Sequence, residues 1–196
     1  MLYIELTKTI EFAEEKGFAA RLLRPSDFRS PSQRKNRMEV HPMNYGHFDD
    51  ARCEYVITRP DTPYPWINYL GSEDFFSLMS NTSGGYTFYK DARLLRMTRY
   101  RYNNVPTDAG GHYFYIKEGD VIWNPGWQPT QTPLDSYECR VGTGYTSITS
   151  SKKGLKACQT VMVPRGYTAE VTRLTLTNET SAPKKRSIFL RSIAAN

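Results

Sequence analysis

Cysteine is scarce in this 196-residue chain, and Cys53, Cys139 and Cys158 stand far apart. They supply neither the close CxxC pairs of a zinc site nor the even set that staples a small secreted domain. Free buried thiols in a reducing compartment are the reading that remains. Long apolar runs are missing too. No stretch approaches the about 18 consecutive apolar residues that span a bilayer. Glu5, Lys8, Glu11, Glu14 and Glu15 stand where an export signal needs an apolar core. A cytoplasmic protein without a membrane partner is expected, in which the sequons at Asn81 and Asn178 are chance matches.

Charge of one sign is not concentrated anywhere. The formal net charge is +6 and the pI about 9.2, but Lys and Arg are interleaved with acids and no nucleic-acid-binding signature is present. No nucleic-acid partner is expected. Leu and Ala are few, whereas 14 Tyr, 13 Gly and 12 Pro favour strands and turns over helices. The length suits one well-buried domain, and no internal repeat is visible.

Two regions differ in character. Residues 1–42 read as an irregular or partly helical extension: Thr7 to Leu23 has a loose apolar side interrupted by Gly17, and RPSDFRSPSQRKNRMEVHP after it reads as a flexible linker. Residues 43–196 read as an all-β domain. Strands are expected at Glu54 to Thr58, Gly85 to Lys90, Leu94 to Arg99, His112 to Lys117 and Val121 to Trp123. Four more are expected at Glu138 to Gly142, Tyr145 to Ser150, Leu155 to Val163 and Ala169 to Asn178. The turns Gly84-Gly85, Gly110-Gly111, Glu118-Gly119-Asp120, Lys152-Lys153-Gly154 and Pro164-Arg165-Gly166 favour antiparallel pairing, and the short spacing of strands suggests a β-sandwich. After Lys185 the alternation fades, so the domain reads as cut short, with core exposed.

Catalytic groups are thin. His41, His47 and His112 lack a Ser or Cys partner in a nucleophile elbow, and GTGYT at 142–146 lacks the strand-to-helix context of a phosphate loop. Asp49-Asp50 and Glu73-Asp74 are neighbours, and neighbours on a strand point to opposite faces, so neither makes a glycosidase pair alone. No metal or other cofactor is expected.

The stretch TRPDTPYPWINYLGSEDF, residues 58–75, is different. Pro60, Pro63 and Pro65 fix φ and extend their predecessors, so the segment is stiff before a ligand arrives, which lowers the cost of binding. Tyr64, Trp66 and Tyr69 add flat amphipathic rings; Arg59, Asp61 and Asn68 add a planar donor, an acceptor and an amide. Sugars suit such a surface. WNPGWQP places Trp123 and Trp127 in a second loop of the same chemistry. The candidate carbohydrate-binding residues are therefore Arg59, Asp61, Tyr64, Trp66, Asn68, Trp123 and Trp127, although such rings also plug sandwich ends or fill subunit interfaces. Between the loops, Arg93, Arg96, Arg99 and Arg101 interleave with Tyr100 and Tyr102; on strands they form a basic stripe that either holds an anion or covers tyrosine faces.

FDDARCEYVITRPDTPYPWINYLGSEDFFSLMSNTSGGYTFYKDARLLRMTRYRYNN, with YFYIKEGDVIWNPGWQPT and LDSYECRVGTGYTSI, resembles the beginning of the cellobiose phosphorylase family, with the cellodextrin and chitobiose phosphorylases. The likeness runs from about Met43 to about Lys185. It implies an amino-terminal β-sandwich, followed in the family by a helical linker, an (α/α)6 barrel and a small β domain, in a cytoplasmic homodimer. It also implies inverting phosphorolysis: inorganic phosphate, a co-substrate, attacks the anomeric carbon of a β-glucoside while a barrel aspartate protonates the leaving oxygen, giving α-glucose 1-phosphate and glucose. That barrel has no counterpart here, so no catalytic residue is carried over and the chain is expected to be inactive alone. NYGHFDD looks like the family's beginning, which makes residues 1–42 look like upstream sequence. A stand-alone carbohydrate-binding module is the alternative reading.

Overall fold

The computed structural model describes residues 2–6, 44–99 and 110–192. They form thirteen strands: β1 (Leu2–Leu6), β2 (Gly46–Asp49), β3 (Glu54–Ile57), β4 (Ile67–Ser72), β5 (Phe75–Ser80), β6 (Gly85–Tyr89), β7 (Tyr113–Glu118), β8 (Val121–Trp123), β9 (Ser136–Val141), β10 (Tyr145–Lys152), β11 (Leu155–Met162), β12 (Glu170–Asn178) and β13 (Ser187–Arg191). No helix occurs among the described residues, so none there is long and apolar enough to cross a membrane.

One sheet has seven strands in the order β1-β12-β11-β10-β9-β3-β2, and two sheets have three, β13-β7-β8 and β4-β5-β6. Pairing is antiparallel except between β1 and β12. The large sheet is one layer, and the small sheets cover its two halves. Ile57, Leu70, Phe75, Met79, Cys139, Ile148 and Val161 join it to β4-β5-β6. Phe114, Ile116, Trp123, Leu155, Ala157 and Leu174 join it to β13-β7-β8. Period-two alternation feeds both cores: in β10 Thr146, Ile148 and Ser150 are buried while Tyr145, Ser147 and Thr149 are not. Burial of each large aliphatic side chain contributes about 1.5–3 kcal/mol relative to exposure.

A polar band separates the two apolar cores. Glu170 on β12 is 2% exposed, and its Oε2 accepts from Ser77 Oγ at 2.6 Å and Thr87 Oγ1 at 2.8 Å. Its Oε1 accepts from Thr172 Oγ1 at 3.3 Å and lies 3.5 Å from His112 Nε2. On β11, between Ala157 and Val161, Gln159 accepts from Ser83 Oγ and donates to the His112 carbonyl, both at 3.1 Å. Each small sheet is therefore also tied to the large one by hydrogen bonds.

Of the nine expected strands, all but Leu94 to Arg99 are present. That segment opens as a turn, because the Asp91 carboxylate accepts from the N–H groups of Arg93 at 2.8 Å and Leu94 at 2.6 Å; beyond it the chain runs along β6 through isolated bridges, with Arg96 opposite Phe88 and the Met97 N–H donated to the Thr87 carbonyl at 2.8 Å, and forms no regular strand. Among the described residues Arg93, Arg96 and Arg99 form no regular strand stripe; Arg101, Tyr100 and Tyr102 lie outside them. Strands β1, β2, β4, β5 and β13 were not anticipated. The last pairs with β7 through Ser187 to Arg191, so the tail regains strand order where alternation fades in sequence; Ile188 packs on the core, while Phe189 and Leu190 remain exposed. Thr7 to Leu23 and the basic linker lie outside the described residues, and Leu2–Leu6 is a strand rather than irregular chain.

Candidate functional site

Three prolines keep residues 59–66 out of the sheet until β4 starts at Ile67, and a buried amide then fixes their path. Asn81, 1% exposed in the turn between β5 and β6, donates its N–H to the Trp66 carbonyl at 2.9 Å and accepts the Trp66 N–H on Oδ1 at 3.0 Å. Its Nδ2 donates to the Pro60 carbonyl at 3.3 Å and to Thr62 Oγ1 at 3.2 Å, while Thr62 donates onward to the Tyr64 carbonyl at 2.8 Å. The Tyr137 hydroxyl donates to the Asn81 carbonyl. One residue thus anchors both ends of the loop. In the sequence Asn81 stands out only as the first residue of a sequon; no local signal marks an asparagine whose loop partners lie fifteen to twenty-one positions away.

Outside this anchor, Arg59 holds Asp61 in a two-pronged pair, Nε to Oδ1 at 3.1 Å and Nη2 to Oδ2 at 2.7 Å, both side chains about half exposed. The guanidinium also lies 5.3 Å from the centre of the Tyr45 ring. Such an exposed pair contributes about 0–1 kcal/mol, so its effect is on loop shape. Aromatic contacts then run in a chain: Tyr45 to Trp66 at 5.8 Å, Trp66 to Tyr55 at 5.9 Å and Tyr55 to Phe48 at 4.8 Å. Phe48, at 75% exposure, ends that chain at a cavity of about 450 Å3, within the about 300–1,000 Å3 of small-ligand pockets.

The cavity is lined by Phe48, Asp49, Asp50, Cys53, Glu54, Tyr55, Asn68, Val141, Gly142 and Thr143. Asn68 links β4 to this wall, its Nδ2 lying 3.1 Å from the Gly142 carbonyl, the Tyr145 carbonyl and Thr146 Oγ1. Beside it Arg140 spans three carboxylates: Glu138 at 2.6 Å, Glu54 at 2.7 Å and Asp49 at 3.1 Å. The Tyr145 hydroxyl donates to Glu54. That hydroxyl, and then Arg140, hold the Glu54 carboxyl below its usual range; Asp49 is lowered chiefly by Arg140. Both are carboxylates at neutral pH. Among the described residues no group of three His, Cys, Asp or Glu could hold a metal ion. Cys139, whose thiol burial pushes up to about 12, is a core residue without reactivity.

A pH dependence follows. The folded-state values of Asp49 and Glu54 are depressed, so their contribution is present above the ordinary values of 3.8 and 4.5 and is lost as pH falls through the folded values. Thermal unfolding followed from neutral to strongly acidic pH is expected to show falling stability below about pH 4.5, with a shallower fall in R140M. An R140M variant with unchanged pH slope would show that the cluster does not couple to folding.

The structure brings Arg59, Asp61, Tyr64, Trp66 and Asn68 together on one loop and the strand it enters. Tyr64 is 77% exposed; Trp66 is half-buried against the core. Trp123 does not join them. It is 0% exposed in the core under β13-β7-β8, which corrects its placement on a binding surface: β8 turns that ring inward onto Ala157 and Leu174. Trp127 is half-buried, at φ +69°, in the loop after β8. That loop meets the Asn81 turn through Gly126, where a Cβ would come 2.4 Å from Ser83 Oγ, so only glycine permits the approach. Missed from sequence were Tyr45, Phe48 and Tyr55, and the role of Asp50, whose carboxylate lines the cavity with no partner among the described residues.

A rigid ring-bearing loop beside an aromatic cavity on a two-layer β scaffold can now be set against known proteins. Residues 53–191 match the family described as glycosyl hydrolase 94, supersandwich domain. The chain belongs to that family. It is 40% identical over 151 residues to N,N'-diacetylchitobiose phosphorylase of Vibrio furnissii, which covers 75% of this chain and 19% of that protein. It is 33% identical over 147 residues to 3-O-beta-D-glucopyranosyl-beta-D-glucuronide phosphorylase of Paenibacillus borealis, covering 74% of the chain and 18% of the relative. Solabiose phosphorylase of the same organism is 32% identical over 155 residues, covering 76% and 19%. The chain thus spans about a fifth of the length of these relatives. In this supersandwich the matched span begins at Cys53, so it includes the loop, its Asn81 anchor and most of the cavity; Phe48, Asp49 and Asp50 lie before it.

Proposed function

We propose that this supersandwich is the amino-terminal carbohydrate-binding and dimerisation domain of a cytoplasmic glycoside phosphorylase of the cellobiose and chitobiose type. The complete enzyme would convert cellobiose and inorganic phosphate to α-glucose 1-phosphate and glucose without metal or organic cofactor, and this domain would supply no catalytic residue. Neither nucleic acid nor a membrane is a partner. The family match over residues 53–191 carries the reading. The loop chemistry supports the carbohydrate part: the Tyr64 ring is exposed for a sugar face, and the half-exposed Arg59 and Asp61 offer hydrogen-bonding groups on the same loop.

Calorimetry with cellobiose tests the binding step, and Tyr64→Ala is the informative variant because that ring is largely exposed. Its melting temperature should match the parent within the change equivalent to about 0.5 kcal/mol. Affinity for cellobiose should fall by about fivefold, the loss of one stacked ring. Unchanged affinity in Y64A removes the loop from sugar contact. Tight unaided binding by the isolated chain would favour the stand-alone binding module, since a phosphorylase domain is expected to bind weakly without its barrel.

A further inference from the structure

The cavity beside the loop has a charge that the carbohydrate reading does not require. Among the described residues its lining contains Asp49, Asp50 and Glu54 and no Lys, Arg or His. Arg140 next to it is already shared among Glu138, Glu54 and Asp49, and Arg52 acts on the same Asp49 and Glu54 carboxylates. Among the described residues four carboxylates stand against two guanidiniums at this corner, on a chain whose formal net charge is +6. Asp50 is exposed and has no side-chain partner among the described residues, and the Phe48 ring, 75% exposed, presents an open aromatic wall. A neutral sugar uses the ring face and donates a hydroxyl to the carboxylate, but it brings no positive charge to balance it. A sugar carrying an ammonium group gains a charge-assisted hydrogen bond from Asp50 and a cation–π contact from Phe48 or Tyr55.

We propose that this cavity is a binding site for a β-linked hexosamine with an unacylated, protonated amine, held by Asp50 and the Phe48–Tyr55 ring pair. The proposal rests on the carbohydrate reading of the adjoining loop and names the sugar class that its neighbouring cavity takes. Arg140 and Glu54 act as the locked floor rather than as ligands, because their charged atoms already have partners. Acetylation of the amine removes the cation and adds a methyl group, so an N-acetylated disaccharide loses this advantage.

Titration calorimetry of the chain at mildly acidic pH and low salt, with chitosan-derived diglucosamine, its N,N'-diacetylated form and cellobiose as separate ligands, tests it. Diglucosamine should bind about fivefold more tightly than cellobiose or more, and the advantage should shrink with added salt and vanish in D50N. Equal affinity for the three sugars, or an advantage retained in D50N, overturns the proposal while leaving sugar binding at the loop intact. No binding of any of the three overturns the proposal and the carbohydrate reading together. If Nα-acetyl-lysine methyl ester competes as well as diglucosamine, the cavity is a site for a protein lysine and the proposal falls. Thermal unfolding of D50N should match the parent, since the Asp50 side chain has no partner among the described residues and the variant keeps the carbonyl that receives Cys53.

Discussion

Trp123→Ala is expected to destabilise the domain by about 3–5 kcal/mol, the largest effect of any tryptophan in the chain. The ring is 0% exposed and packs among Phe114, Ile116, Leu155, Ala157 and Leu174, so truncation leaves a cavity between two rigid sheets that cannot collapse. For a chain of this size each kcal/mol lowers the melting temperature by roughly 2–4 °C. Trp123→Phe should lose far less, about 1.5 kcal/mol or below: it keeps most of the ring and removes an indole N–H that is buried without a partner among the described residues. Calorimetric unfolding of W123A and W123F decides the matter. A W123A protein as stable as the parent would place the ring on a surface, where the composition of its loop first suggested it.

Glu170→Ala is expected to lose about 3 kcal/mol or more. The carboxylate receives Ser77 and Thr87 from the small sheet and Thr172 from its own strand, with His112 at 3.5 Å. Removing it strands these buried groups at once. Glu170→Gln keeps the shape and one acceptor oxygen, so its loss should be smaller. Denaturant unfolding of both variants checks this ordering: E170Q as damaging as E170A would mean that charge, not hydrogen-bond satisfaction, holds the layers. E170A within about 1 kcal/mol of the parent would mean that the polar band is ornamental to stability.

Much of the fold was legible in the residues. Gly119, Gly154 and Gly166 all adopt the positive φ that their turns imply, and the alternation of EVTRLTLTN sends Thr172 and Leu174 inward and Arg173 outward. Strands β4 and β5 were hidden for a definite reason. Pro60 to Pro65 made the whole run to Phe75 look like loop, and Glu73, at φ +55°, looks like an ordinary acid while it turns a tight hairpin. Leu94 to Arg99 failed the other way: it reads as a strand, but the Asp91 carboxylate captures the N–H groups of Arg93 and Leu94 and turns the chain where a ladder would begin.

The candidate site divides along the same line. Stiffness and ring content at residues 58–69 are local properties, and Pro60, Pro63 and Pro65 announce them without reference to any other part of the chain. Which ring is free is not local. Trp66 and Trp123 each end a short run of turn residues or strand, yet one borders the solvent and the other is sealed. The difference is made by which sheet closes over them.

The sequence by itself determined that the chain is a β protein of short antiparallel strands, where most of its turns fall, and that one stiff aromatic loop stands apart from the rest. Those traits follow from backbone φ preferences and period-two side-chain alternation, which act over a few residues. Only the tertiary structure decided that Asn81 anchors the loop, that Glu170 joins the layers, and that Phe48, Asp50 and Asn68 border one cavity. Their partners lie on strands distant in sequence, and distance along a chain carries no record of which faces will meet when hydrophobic burial brings two sheets together.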